Sequence, residues 1–163
     1  MLLQSGVYML QLDQNSSAIS AADRLLVEQE HFRLEAFLHD LRGTCSKLGA
    51  ALDCGCDKEQ MACCQGRVAS FYYDFLDLAA THFDNEENIM RASLPAADDD
   101  VYFQSHQQAH ARLLREVQAS MRQALALSKQ GKTAAAIQLL YRQISAMFGE
   151  HGHAYDAVLL RIT

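Results

Sequence analysis

Tryptophan is absent from the chain, proline occurs once and glycine eight times in 163 residues. A sandwich or barrel of this length needs many more turn residues, which excludes an all-β fold. Positive charge is also short: 14 Lys and Arg stand against 20 Asp and Glu, for a net charge of −6. Nothing here supplies the phosphate-neutralising patch that a nucleic acid or an anionic membrane surface requires. No apolar run approaches the roughly 18 residues of a membrane span. The opening Met1-Leu2-Leu3-Gln4-Ser5-Gly6 carries no basic segment of the kind that begins a secretion signal. The expectation is a cytoplasmic protein that binds neither nucleic acid nor membrane. With half of its residues apolar and 21% charged, the chain has the composition of one folded domain with a substantial core.

What is present is long helical pattern. Glycine and proline leave four uninterrupted pieces, 7–42, 67–94, 96–130 and 132–148. Each carries apolar residues at helical spacing. The first stripe is Val27, His31, Leu34, Leu38 and Leu41, and the second is Phe71, Phe75, Leu78, His82, Glu86 and Ile89. The third is Phe103, His106, His110, Leu113, Val117 and Met121, and the fourth is Leu140, Ile144, Phe148, His151, Tyr155 and Val158. Ser16, Ser17 and Ser20 are N-cap candidates for the first helix, and Asp98 to Asp100 suit the start of the third. The spacing predicts helices over 19–42, 66–93, 98–129 and 133–162. Short connections between long helices make antiparallel neighbours, so the expected fold is all-α, an up-down-up-down four-helix bundle in a single domain, 1–163. Residues 1–20 form an unassigned N-terminal arm. The long connection, 43–65, reads as a Cys-rich insertion between helices one and two.

The apolar stripes are interrupted by metal-ligand types. His82 and Glu86 lie four apart on one helix face, and His106 and His110 repeat that spacing. His31 sits among Val27, Leu34 and Leu38, and His151 among Ile144, Met147, Phe148 and Tyr155. One histidine on an apolar face is ordinarily a satisfied core or boundary residue. Five of them with a carboxylate, spread over all four stripes, would cost several kcal/mol to bury unless something satisfied them, and a metal does so directly. Imidazole and carboxylate without thiolate suit Fe, Zn, Mn or Cu, and bundle interiors with such ligands typically hold two metals. His39 and His153 read as surface or boundary residues; His153 is turned about 200° from His151 on an ideal helix.

The segments His82-Phe83-Asp84-Asn85-Glu86-Glu87-Asn88-Ile89-Met90 and His106-Gln107-Gln108-Ala109-His110-Ala111-Arg112-Leu113 resemble the H-F-x-x-E-E-x-x-M and H-x-x-x-H-x-x-L patterns of the hemerythrins. Those proteins are non-heme di-iron oxygen binders. Val27-Glu28-Gln29-Glu30-His31-Phe32-Arg33-Leu34 is similar to their first-helix histidine segment, and His151 with Asp156 to their H-x-x-x-x-D pattern. The resemblance spans about residues 23–162 apart from the cysteine segment. It implies two iron ions joined by an oxo or hydroxo group. His106, His110 and His151 would hold one, His31 and His82 the other, and Glu86 and Asp156 would bridge them. It also implies that O2, or another small diatomic ligand, binds at an open position on the two-histidine iron, in a sensing or signalling role with a separate protein partner. The other readings are a di-iron enzyme (peroxidase, oxidase or NO-handling), a metal storage or delivery protein, and an interaction module.

Three further expectations follow. Asp156 lies five residues after His151, about 140° round an ideal helix, so both reach one centre only through a local distortion such as a π-bulge, which Gly149 and Gly152 make easy. Phe148 and Gly152 should line the ligand pocket, with Gly152 removing a wall and admitting water. The cysteines Cys45, Cys54, Cys56, Cys63 and Cys64 lack the paired spacing of common zinc modules. They read as a Zn site, as redox-switching thiols, or as unligated thiols packed at the bundle end.

Overall fold

The computed structural model describes residues 19–45, 56–94, 97–156 and 159. Among them are four α-helices and no strand: α1 (Ala21–Gly43), α2 (Lys58–Ser93), α3 (Val101–Lys129) and α4 (Thr133–His151), with a single 3₁₀ turn at Ala97–Asp99. Around the bundle α1 packs on α2 and α4, and α3 packs on α2 and α4. This is the expected all-α four-helix arrangement. None of these helices is long and apolar enough to cross a membrane.

Side-chain caps set three of the starts. Ser20 accepts from the Asp23 N–H, Asp57 from the Gln60 N–H at 2.8 Å, and Asp100 from the Phe103 N–H at 2.9 Å. Each satisfies an amide that the first helical turn leaves without a partner. Between α3 and α4, Gly131 takes φ 79°, a left-handed conformation that lets the Lys132 N–H close back on the Leu127 carbonyl at 3.0 Å.

The start of α2 differs from the sequence expectation. The helix begins at Lys58, not near residue 66, so Cys63 and Cys64 belong to its first turns and not to a loop. A glycine inside a helix costs only about 1 kcal/mol, and the Asp57 cap and the helix-forming run ahead of Gly66 outweigh it. The Cys-rich insertion therefore narrows to the stretch between Thr44 and Asp57, and Cys54 lies outside the described residues.

Two apolar clusters fill the bundle. The larger includes Leu34, Phe75, Phe83, Leu113, Ile137 and Ile144. The smaller includes Val27, Ile89, Met90, Phe103 and Leu159. Every helix contributes to the larger cluster, and along each chain segment the passage from one cluster to the other crosses the predicted ligands. His31 falls between Val27 and Leu34, Glu86 between Phe83 and Ile89, His106 and His110 between Phe103 and Leu113, and His151 and Asp156 between Ile144 and Leu159. The fold thus sandwiches one polar layer between two apolar ones.

Candidate metal centre

All seven predicted ligands meet in that layer. Glu86 and His106 are wholly buried, His82, His110, His151 and Asp156 are buried, and the His31 side chain keeps 30% of its exposure. They form two groups with metal-ligand spacing, Glu86 with His106, His110 and His151, and His31 and His82 with Glu86 and Asp156. Within each group the ligand atoms lie within 4.8 Å of one another. The chain therefore carries buried His and carboxylate groups able to hold metal ions.

The two carboxylates are each divided between the histidine sets. Glu86 Oε2 lies 3.2 Å from His110 Nε2, 3.5 Å from His106 Nε2 and 3.9 Å from His151 Nε2. Its other oxygen, Oε1, lies 3.6 Å from His82 Nε2 and 3.9 Å from His31 Nε2. Asp156 repeats the division: Oδ1 is 3.0 Å from His151 Nε2 and 3.6 Å from His106 Nε2, while Oδ2 is 3.0 Å from His31 Nε2. All five imidazoles present Nε2 to the middle of the layer.

Asp156 reaches this position through the distortion that the spacing demands. After His151 the helix changes to a π turn over Gly152–Asp156. One π turn closes an i to i+5 interval, which brings residue 156 beneath residue 151, where an α-helix would rotate it away. Gly152 sits at the pivot, and a Cβ there would stand 3.4 Å from Asp156 Oδ2. Phe148 and Gly152 line a cavity of about 490 Å³ between α1 and α4 that His31 and Asp156 also line.

Residues outside the predicted set orient the imidazoles. Glu30, buried on α1, accepts from His82 Nδ1 at 3.1 Å through Oε2 and from the Asn85 amide at 2.6 Å through Oε1. Glu87 accepts from His110 Nδ1 at 3.0 Å and from the Gln107 amide at 2.7 Å. Met90 Sδ lies 3.0 Å from His106 Nδ1. A partner that accepts a hydrogen bond from Nδ1–H keeps the proton there and leaves the Nε2 lone pair facing inward, the tautomer a metal needs. Sequence reading missed these roles. Glu30 sits one residue from His31 and so on a different part of the helix face, and its only sequence signal was an acidic residue next to an apolar stripe. Glu87 and Met90 stood inside a matched motif without any visible task.

Charge is concentrated here. Burial disfavours charge on His151, yet the close carboxylates of Asp156 and Glu86 outweigh it and hold its pKa at about 9. His31 is raised in the same way by Asp156 against burial. His106 moves down, because burial dominates. Burial would push Glu86 up, but His110, His151 and His82 bring it to about 2, and Asp156 is held well below the carboxylate range by His106, His151 and His31.

The fit to a metal pair can be tested on polar satisfaction. Among the described residues five buried side-chain atoms lack a hydrogen bond of acceptable geometry, and four of them are His31 Nε2, His82 Nε2, Glu86 Oε1 and Asp156 Oδ1. Buried polar atoms are ordinarily paired, so orphans gathered at one point mark a missing partner. The 3.2 Å approach of His106 Nε2 to His151 Nε2 adds two facing nitrogens that a cation would satisfy. The residues present fit two metal ions.

The remaining predicted residues fall elsewhere. His39 and His153 are exposed, as expected. Cys45 and Cys56 are half-buried at the ends of the connection, Cys63 is exposed and Cys64 half-buried on α2. Among the described residues no cysteine joins a group with metal-ligand spacing. Comparison with protein-family models, with curated proteins and with solved structures finds no match for this chain.

Proposed function

We propose that the chain is a hemerythrin-like di-iron protein that binds O2 or another small diatomic ligand and reports it, or the redox state, to a protein partner. One observation carries the reading: each of two buried carboxylates offers one oxygen to a three-histidine set and the other to a two-histidine set. That is the donor arrangement for a bridged pair, and its unequal sides give one ion fewer protein ligands than the other. Four carboxylates, Glu30, Glu86, Glu87 and Asp156, balance the charge of two divalent ions. Imidazole with carboxylate suits iron, and such a pair supplies two-electron chemistry toward O2 when bound. The protein's part is to fix the imidazoles through Glu30 and Glu87 and to flank them with apolar clusters on two sides, leaving access beside His31. The test is iron analysis with an optical titration from anaerobic to aerobic conditions. Two irons per chain with a new absorption band on admitting air supports the proposal; one colourless zinc per chain overturns it.

The cavity of about 490 Å³ beside His31 favours a second reading, a di-iron enzyme of the peroxidase, oxidase or NO-handling type, since a diatomic ligand needs far less room. Sustained consumption of peroxide or NO over many turnovers selects the enzyme; a stoichiometric, reversible O2 response selects the sensor.

A further inference from the structure

The cavity beside His31 does not end at the metal centre. It runs between α1 and α4 past Leu34, Leu38, Phe148 and Gly149 to His39 and Tyr141. Those last two residues also line a second cavity of about 550 Å³, whose walls include Arg42 and Arg142. The two cavities share His39 and Tyr141 as walls, and taken as one trough they have an apolar middle and ends of opposite charge. Asp156, with Glu35 nearby, marks the His31 end. Arg42 and Arg142 mark the other, with the Arg42 guanidinium 5.4 Å above the Tyr141 ring. Among the described residues neither arginine has an ion-pair partner, in a chain whose net charge is −6.

We infer that this trough binds a medium-chain carboxylate, its head on Arg42 and Arg142 and its chain lying toward His31. Two guanidiniums recognise a carboxylate through charge-assisted, two-pronged hydrogen bonds. Gly43, at the C-terminal end of α1, lines the same pocket and presents the negative end of the helix dipole, which opposes any anion there but a doubly charged phosphate more than a singly charged carboxylate. Polarity along the trough fixes the direction, since Glu35 and Asp156 repel an anionic head at the far end. Length agrees too. His31 and Arg42 are about 16 Å apart along the α1 axis at about 1.5 Å per residue. A chain the size of decanoate fills it. Only the meaning of the occupied trough, a ligand that covers the open side of the metal pair, rests on the proposed function; the binding itself does not.

The experiment is calorimetric titration of decanoate into the full chain as isolated, with metal content measured on the same samples. Decanoate should bind, and decan-1-ol, with the same chain and no charge, at least tenfold more weakly. Arg42→Ala and Arg142→Ala should each weaken decanoate about tenfold or more without changing metal content. Gly149→Leu should abolish binding, because a Cβ at Gly149 meets nothing within 4 Å and the larger side chain can fold into the trough. Decanoate that binds no better than decanol overturns the inference. So does binding unaffected by both arginine variants, which would put the carboxylate on the metals instead. Absent binding to a chain holding two metals defeats the trough alone; arginine-dependent binding to a chain without them upholds the trough and defeats the metal pair.

Discussion

Replacing Glu30 by Gln tests whether the centre depends on residues that hold its imidazoles in place. Glu30 accepts two hydrogen bonds, one on each oxygen, from His82 Nδ1 at 3.1 Å and from Asn85 Nδ2 at 2.6 Å. Glutamine has the same shape and a single oxygen, so one of the two donors must face an amide N–H. If that donor is Asn85, its amide must turn over so that Oδ1 accepts from the glutamine N–H, and His82 is left with a neutral acceptor in place of a charged one. If it is His82, the ring relieves the clash by moving its proton to Nε2, the atom that faces the centre, and ceases to be a ligand. Either way the site pays in metal affinity. Loss of such an orienting carboxylate costs about 10–100-fold, or about 1.4–2.7 kcal/mol. Competition titration against a chelator of known affinity measures the change, and circular dichroism confirms that the helices persist. Glu87→Gln should cost less, because the Glu87 side chain is 17% exposed and water can take over part of its work. A Glu30→Gln protein that retains both metals with unchanged affinity would refute the reasoning.

His82→Ala and His110→Ala should each bring the chain below two metals, whereas His39→Ala and His153→Ala, both at exposed positions, should leave the content unchanged in elemental analysis. Gly152→Ala should be tolerated, but Gly152→Ile should press on Asp156 Oδ2, which a Cβ already meets at 3.4 Å, with a cost of about 1–3 kcal/mol in thermal unfolding and a fall in metal content. Metal loading at neutral pH should release about one proton from His151, which with its pKa at about 9 must lose it to bind; titration calorimetry in buffers of different ionisation enthalpy counts it, and the release should fall as pH rises through 9. In the metal-free chain the His151 contribution to stability is full below its ordinary 6.5 and disappears as pH rises through about 9, while that of Glu86 is full above 4.5 and disappears as pH falls through about 2, so thermal unfolding should show a maximum between 4.5 and 6.5.

The fold was legible because its pattern is repeated. Four stripes at helical spacing, with Ser20 and Asp100 as caps, mark the elements, and the short link around Gly131 fixes one antiparallel pair. The candidate ligands were legible because histidine and carboxylate are costly on an apolar stripe, so their presence in His31, Glu86 and His151 asks for an explanation. Even the π turn could be foreseen, since residues 151 and 156 share a face in no ordinary α-helix. The start of α2 was not foreseen, because Gly66 reads as a break and the strength of the Asp57 cap against it is a matter of local balance. Glu30 and the pairing of Arg42 with Arg142 were hidden for a different reason. Their roles depend on which neighbours α2 and α4 bring, and no spacing within α1 encodes that.

The central claim is a bridged pair, and metal stoichiometry in wild type and Asp156→Ala protein tests it most directly. Asp156 is the carboxylate whose two oxygens lie 3.0 Å from His151 on one side and 3.0 Å from His31 on the other. After anaerobic loading with ferrous iron and removal of the excess, wild type should hold two irons per chain. The Asp156→Ala variant should lose the ion on the two-histidine side first and keep no more than one. A wild-type chain that saturates at a single ion, or a variant that still retains two with undiminished affinity, would contradict the account.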